Sequence, residues 1–104
     1  MKKSKPVEGI SYPQFYMNSV YYVKPLWMLN FEQFAKFTFY IYKSGSLYYI
    51  AEVTSGLEIC TPCTNQKEIF KLAKENIVKY IDKIPSIIEK RISKHGELLK
   101  PKYN

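Results

Sequence analysis

The chain has 104 residues, is 46% hydrophobic and 16% aromatic, and carries a net charge of +7. That length supports one domain with a single sizeable core. Its longest uncharged run, Gly9 to Val23, is broken by Ser, Pro, Gln and Asn, so no segment has the roughly 20 apolar residues of a membrane helix.

Residues 1–19 mix Lys, Pro, Gly, Ser and Asn with isolated aromatics and read as an arm that packs only locally. No apolar stretch follows Met1-Lys2-Lys3, so a signal peptide is not expected and a cytoplasmic protein is. Val20 to Val23 has strand composition and stops at Lys24-Pro25, because proline cannot donate to a central ladder. Leu26 to Leu29 suits a strand or the approach to a helical turn. Asn30-Phe31-Glu32-Gln33 spells a capping box for such a turn through Phe34 and Ala35.

From Phe37 the hydrophobic period becomes two. Phe37, Phe39 and Ile41 share one face, and Thr38, Tyr40 and Tyr42 share the other. Lys43 to Ser46 forms a turn into a return strand over residues 47–54. Ser55-Gly56 turns again, and Leu57 to Cys60 is expected as a short third strand. Both faces carry aromatics, which predicts one face under a helix and one exposed, tyrosine-lined face. Asn65 and Glu68 cap a helix from Gln66 to Ile84, with Ile69, Ala73, Ile77, Tyr80, Ile81 and Ile84 as its apolar stripe. Pro85 ends or kinks it. Ser86 and Glu89 cap a shorter helix that closes at Gly96, and residues 97–104 form a tail held by Leu98, Leu99 and Tyr103.

The expected fold is therefore α+β: a three- or four-stranded antiparallel sheet covered on one face by a helix, then a shorter helix, with residues 37–84 as a β-β-β-α core.

Charge is distributed unevenly. Residues 1–43 carry six basic and two acidic side chains, residues 44–66 none and two, and residues 67–104 ten and five. Basic ends suit a partner with phosphates or acidic patches. Arg91 is the only arginine among sixteen basic residues, which counts against base-specific DNA reading. Lys67, Lys71 and Lys74 line one flank of the first helix and could grip phosphates. Tyr40, Tyr42 and Tyr48 could supply stacking on the sheet.

Cys60-Thr61-Pro62-Cys63 precedes a helix, as the redox pair of thioredoxins does, because a helix N-terminus stabilises a thiolate. The likeness to thioredoxins ends there. Only 41 residues follow Cys63, too few for the second βα half that those folds need. A zinc site needs four N/S ligands, and one C-x-x-C with the lone His95 does not supply them. A homodimer could bring four cysteines together across a two-fold axis, but no metal or other cofactor is expected. His95 reads as a helix-end cation that suits the dipole. The four glycines are too scattered for a phosphate loop, and the carboxylates sit beside lysines, so no enzyme activity is expected.

Three strands leading to a helix with a lysine-flanked start resemble the second half of a double-stranded-RNA-binding domain, which places basic residues there on phosphates. A second resemblance covers residues 37–101. The strands of Phe39 to Val53, the turn from Gly56 through Cys60, Glu68 and Ala73 on the helix, and Gly96-Glu97 followed by Pro101 are similar to HicB-like antitoxin domains. That resemblance implies a partial RNase H-like β-β-β-α fold and docking onto a partner protein, as such domains mask a toxin. A small viral or mobile-element protein acting on a host nucleic-acid machine would fit both the size and the charge. The sequence thus leads to a small non-enzymatic protein that contacts nucleic acid or a nucleoprotein. Its alternatives are an inhibitor that docks on a partner and a weak thiol-redox module at Cys60 and Cys63.

Overall fold

The computed structural model describes residues 1–16, 19–96 and 100–103. In chain order its elements are β1 (Lys2–Ser4), β2 (Ile10–Tyr16), β3 (Ser19–Val23), β4 (Trp27–Asn30), β5 (Thr38–Ser44), β6 (Leu47–Glu52), α1 (Gln66–Lys79), α2 (Ile84–His95) and β7 (Lys102–Tyr103). They form two antiparallel sheets, of order β1-β4-β5-β6 and β3-β2-β7.

The β5–β6 hairpin follows from its sequence. Alternating side chains put Phe39 and Ile41 on one face and Tyr40 and Tyr42 on the other, and the strands pair from Phe39↔Glu52 to Ser44↔Leu47. Gly45, at φ 61°, supplies the positive φ of the two-residue turn. The α+β expectation holds, with the four-stranded sheet completed by β4 and β1. Their register runs from Trp27↔Ile41 to Asn30↔Thr38 and from Lys2↔Asn30 to Ser4↔Met28.

Several expectations are corrected. Residues 1–16 are not a loose arm: β1 extends the four-stranded sheet, and β2 pairs with β3 and β7. Asn30 does not cap a helix. It ends β4, and its amide donates to Thr38 Oγ1 at 3.2 Å, leaving a single 3-10 turn over Glu32–Phe34 with no side-chain cap. The third strand is reduced to isolated bridges beside β6, Ala51↔Glu58 and Tyr48↔Cys63.

The fourth correction concerns the long helix. It stops at Lys79, and a turn over Tyr80 to Lys83 leads into α2, whose first turn contains Pro85. Proline tolerates that position because the missing N–H has no intrahelical acceptor there. Ser86 lies inside α2 and does not cap it, whereas Asn65 caps α1 and Gly96 closes α2 as expected. Leu98 and Leu99 fall outside the described residues.

The main core lies between the four-stranded sheet and the two helices. Leu29, Phe39, Ile41 and Ile50 of the sheet meet Ile69, Ala73, Ile77, Ile84 and Ile88 of the helices, with Phe31, Phe34 and Phe37 at one end. A second, smaller core on the opposite face gathers Tyr40, Tyr42 and Ala51 with Tyr12, Val23, Met28, Tyr49 and Val53. The β2–β3 hairpin therefore covers the face expected to be open.

Candidate polyanion-binding face

Asn65 Oδ1 accepts from the Lys67 and Glu68 amides at 2.8 and 3.4 Å and fixes the start of α1. From that start, Ile69, Ala73 and Ile77 turn into the core. Lys67, Lys71 and Lys74 follow the i, i+4, i+7 rhythm on the outward side, and all three are exposed. The structure thus brings these three lysines onto one surface.

A fourth cation joins them from the other end of the chain. Lys3, on edge strand β1, places its ammonium 4.4 Å from the Trp27 ring centroid and 5.0 Å from that of Phe70. Both rings are half-buried and rest on the main core, so they offer one apolar face inward and a π face to the cation. Phe70 is three residues after Lys67 and four before Lys74, the spacings at which helix side chains are neighbours. Lys3 thus lies over the Phe70 ring, and Lys67 and Lys74 flank Phe70 along the exposed side of α1. Lys2 and Lys5 are exposed beside Lys3, and α1 adds Glu68 and Glu75 as exposed acids. Such a surface can hold a polyanion and offers Trp27 and Phe70 edges for contact with flat or apolar groups.

Lys3, Trp27 and Phe70 were not among the residues picked out from the sequence. Lys2-Lys3-Ser4 has no strand signal, and its pairing with β4 is a long-range event. The sequence did hold one usable sign, an aromatic residue at helical distance from two of the chosen lysines.

The chosen tyrosines behave differently. Tyr40 and Tyr42 are 0% and 1% exposed, so they form no stacking platform for a ligand. Their neighbours are other rings of this chain: Tyr12 stacks on Tyr40 at 4.8 Å, and Tyr49 on Tyr42 at 5.0 Å. Burial raises the ionisation point of both hydroxyls, which act instead as internal hydrogen-bonding groups. Gln14 donates to Tyr40, and Tyr42 donates to Glu58 at 2.9 Å. Tyr48 is half-buried on β6, at the sheet edge opposite β1, with the Lys43 ammonium 5.3 Å from its ring.

Cys60 and Cys63 are free thiols. Burial, with Cys63 and Glu58 nearby, pushes Cys60 up to about 12; burial and then Glu68 raise Cys63. A redox cysteine works as a thiolate held low by cations or a helix terminus, and this environment acts in the other direction. Among the described residues, no group of three or more His, Cys, Asp or Glu could hold a metal ion, and no helix is long and apolar enough to cross a membrane.

His95, expected as a helix-end cation, instead stacks on Phe15 with ring centroids 4.1 Å apart. Burial, Arg91 and Lys94 lower its proton affinity, so the neutral imidazole is favoured at α2's end. Compared with protein-family models, curated proteins and solved structures, the chain matches none of them.

Proposed function

We propose that the chain is a small non-enzymatic protein that binds nucleic acid or a nucleoprotein through the face shared by β1 and α1. The observation that carries this reading is the contact of Lys3, from the first strand, with Phe70 on the helix flank that also bears Lys67, Lys71 and Lys74. Cations drawn from segments more than sixty residues apart form one charged surface only in the folded chain. Phosphate contact by lysines is sequence-tolerant, which agrees with a chain holding a single arginine.

The test is a salt titration of a labelled RNA or DNA duplex. Four lysine–phosphate contacts predict roughly a hundredfold loss of affinity between about 50 and 200 mM salt. The combined change Lys67→Glu, Lys71→Glu and Lys74→Glu should remove most binding and flatten the salt dependence. These residues are exposed, so the fold should survive. An affinity that stays constant across that salt range rejects the reading.

A second reading, a regulator that docks on a partner as HicB-like domains do, draws on a different surface. A shallow groove of about 220 Å³ is lined by Leu57, Glu58, Ile59, Tyr80, Ile84 and Ile87. Exposed Ile81 and Val78 lie nearby in sequence. Apolar surface of this kind suits protein contact. A complex that tolerates the lysine changes but is lost on Ile87→Glu would favour docking over nucleic-acid binding.

A further inference from the structure

On the side of the molecule where the β2–β3 hairpin meets α2 lies a cleft of about 450 Å³, within the range of small-ligand sites. Its walls come from four segments: Gln14 and Phe15 of β2, Tyr21 of β3, Tyr49 of β6, and the Gly56 to Glu58 turn, with Arg91 of α2 at the rim. None of these residues belongs to the face around Phe70.

The polar groups of the cleft are held from behind. Arg91 Nε donates to the Ser55 carbonyl at 3.1 Å, which fixes the guanidinium plane and leaves its two terminal nitrogens available. Among the described residues, no carboxylate lies within ion-pair distance of it. Glu58 is exposed, and its Oε1 accepts from the buried Tyr42 hydroxyl at 2.9 Å, so one carboxylate oxygen is anchored and the other is free. Tyr49, which stacks on Tyr42 with an interplanar angle of 9°, lines the cleft, and Tyr21 is exposed at 37%. Gly56 keeps the wall thin: at φ 68° it approaches the Pro13 carbonyl so closely that a Cβ would stand 3.3 Å from it.

A fixed, unpaired guanidinium suits a phosphate or carboxylate bidentately. Flat tyrosine faces suit a planar ring, and a half-free carboxylate accepts from a ring N–H or amino group. We propose that this cleft binds a nucleotide with a terminal phosphate monoester. The amino-bearing base lies against Tyr21 and Tyr49, its N–H groups donate to Glu58, and Arg91 pairs with the phosphate. The same chemistry is offered by a free mononucleotide and by the 5′-phosphorylated end of a strand.

The test is titration of the isotope-labelled full chain with GMP, UMP, guanosine and a 5′-phosphorylated trinucleotide, followed by amide NMR. Saturable shifts at Gln14, Tyr21, Gly56, Glu58 and Arg91 are expected with millimolar GMP, with weaker binding of guanosine and UMP. Tyr21→Ala should weaken GMP binding roughly tenfold, and Arg91→Lys should reduce the advantage of GMP over guanosine. Glu58→Gln should remove the preference for GMP over UMP. Tighter binding of the trinucleotide than of GMP assigns a strand end, and the reverse assigns a free nucleotide. Absence of saturable shifts overturns the proposal, as do shifts confined to Lys67, Lys71 and Lys74, or affinities unchanged by both Tyr21→Ala and Arg91→Lys. Charge reversal on α1 leaves this binding intact, so the cleft and the polyanion face fail or succeed separately.

Discussion

Gly56 and Glu52 show how single residues hold the turn that joins the sheet to the rest of the molecule. Glu52 is 0% exposed, yet its carboxylate is not stranded: it accepts from the Thr54 amide and hydroxyl, both at 2.6 Å, and from the Ser55 amide at 3.0 Å. A buried carboxylate satisfied by the residues two and three positions further on is a local capping device. Gly56 follows with a positive φ, and the Pro13 carbonyl oxygen stands 3.3 Å from where its Cβ would be. Gly45 also has a positive φ, but nothing stands within 4 Å of where its Cβ would be. Gly45→Ala therefore meets only the left-handed backbone cost, about 1–2 kcal/mol. Gly56→Ala meets that cost and must also push β2 away, so it should destabilise the fold more than Gly45→Ala. Urea denaturation of the two variants checks the order, and equal losses would remove the close approach from the account. Glycine at both turns was legible in the sequence. The contact that separates them was not, since Pro13 is over forty residues away.

At the scale of elements, the paired strands and the capped helix were legible because each is specified by neighbours in the chain. The alternation over Phe37 to Tyr42 and the Asn65 cap are local signals, and both appear in the structure. The stripe Ile69 to Ile84 misled because apolar spacing runs on through the turn at Tyr80 to Lys83, and only Pro85 marks the restart. The segment after β6 misled in a related way. Leu57 to Cys60 have strand composition, but the segment through Cys63 touches β6 by separated bonds, Glu52 N to Leu57 O at 2.8 Å and Tyr48 N to Cys63 O at 2.7 Å, and Cys60-Thr61-Pro62 bulges between. That arrangement carries the thiols into an apolar margin, Cys63 within the main core and Cys60 against it. With Cys60 pushed up to about 12 and Cys63 also raised, both stay protonated near neutral pH. Alkylation by iodoacetamide at about pH 8 should then run at least tenfold slower in the folded chain than after unfolding in urea. Equal rates would show a thiolate that the apolar surroundings do not suppress.

For the molecule as a whole, the decisive feature is that both faces of the four-stranded sheet are covered. The sequence announced aromatics on both faces but could not say what would lie on the second, because the covering hairpin comes from residues 10–23, whose pairing partners are short and partly distant. Once in place, the hairpin turns Tyr40 and Tyr42 from surface candidates into core residues and meets the far end of α2 through Phe15 and His95. This contact gives the assembly a single reporter, since His95 is the only histidine. Its proton affinity is lowered from the ordinary value of 6.5 by burial, then by Arg91 and Lys94. As the pH falls through 6.5, the unfolded chain takes up a proton more readily than the folded one. The contribution of this contact to stability is therefore present above that pH and is lost below it. An NMR titration of the imidazole should give a midpoint below 6.5, and Phe15→Ala should move it back toward 6.5 by opening the ring to water. The loss of urea stability between about pH 6.5 and 5 should shrink in His95→Gln, which has no proton to gain. A midpoint at or above 6.5 in the native chain would show that the Phe15 contact and the cations at Arg91 and Lys94 do not hold back the imidazole's proton.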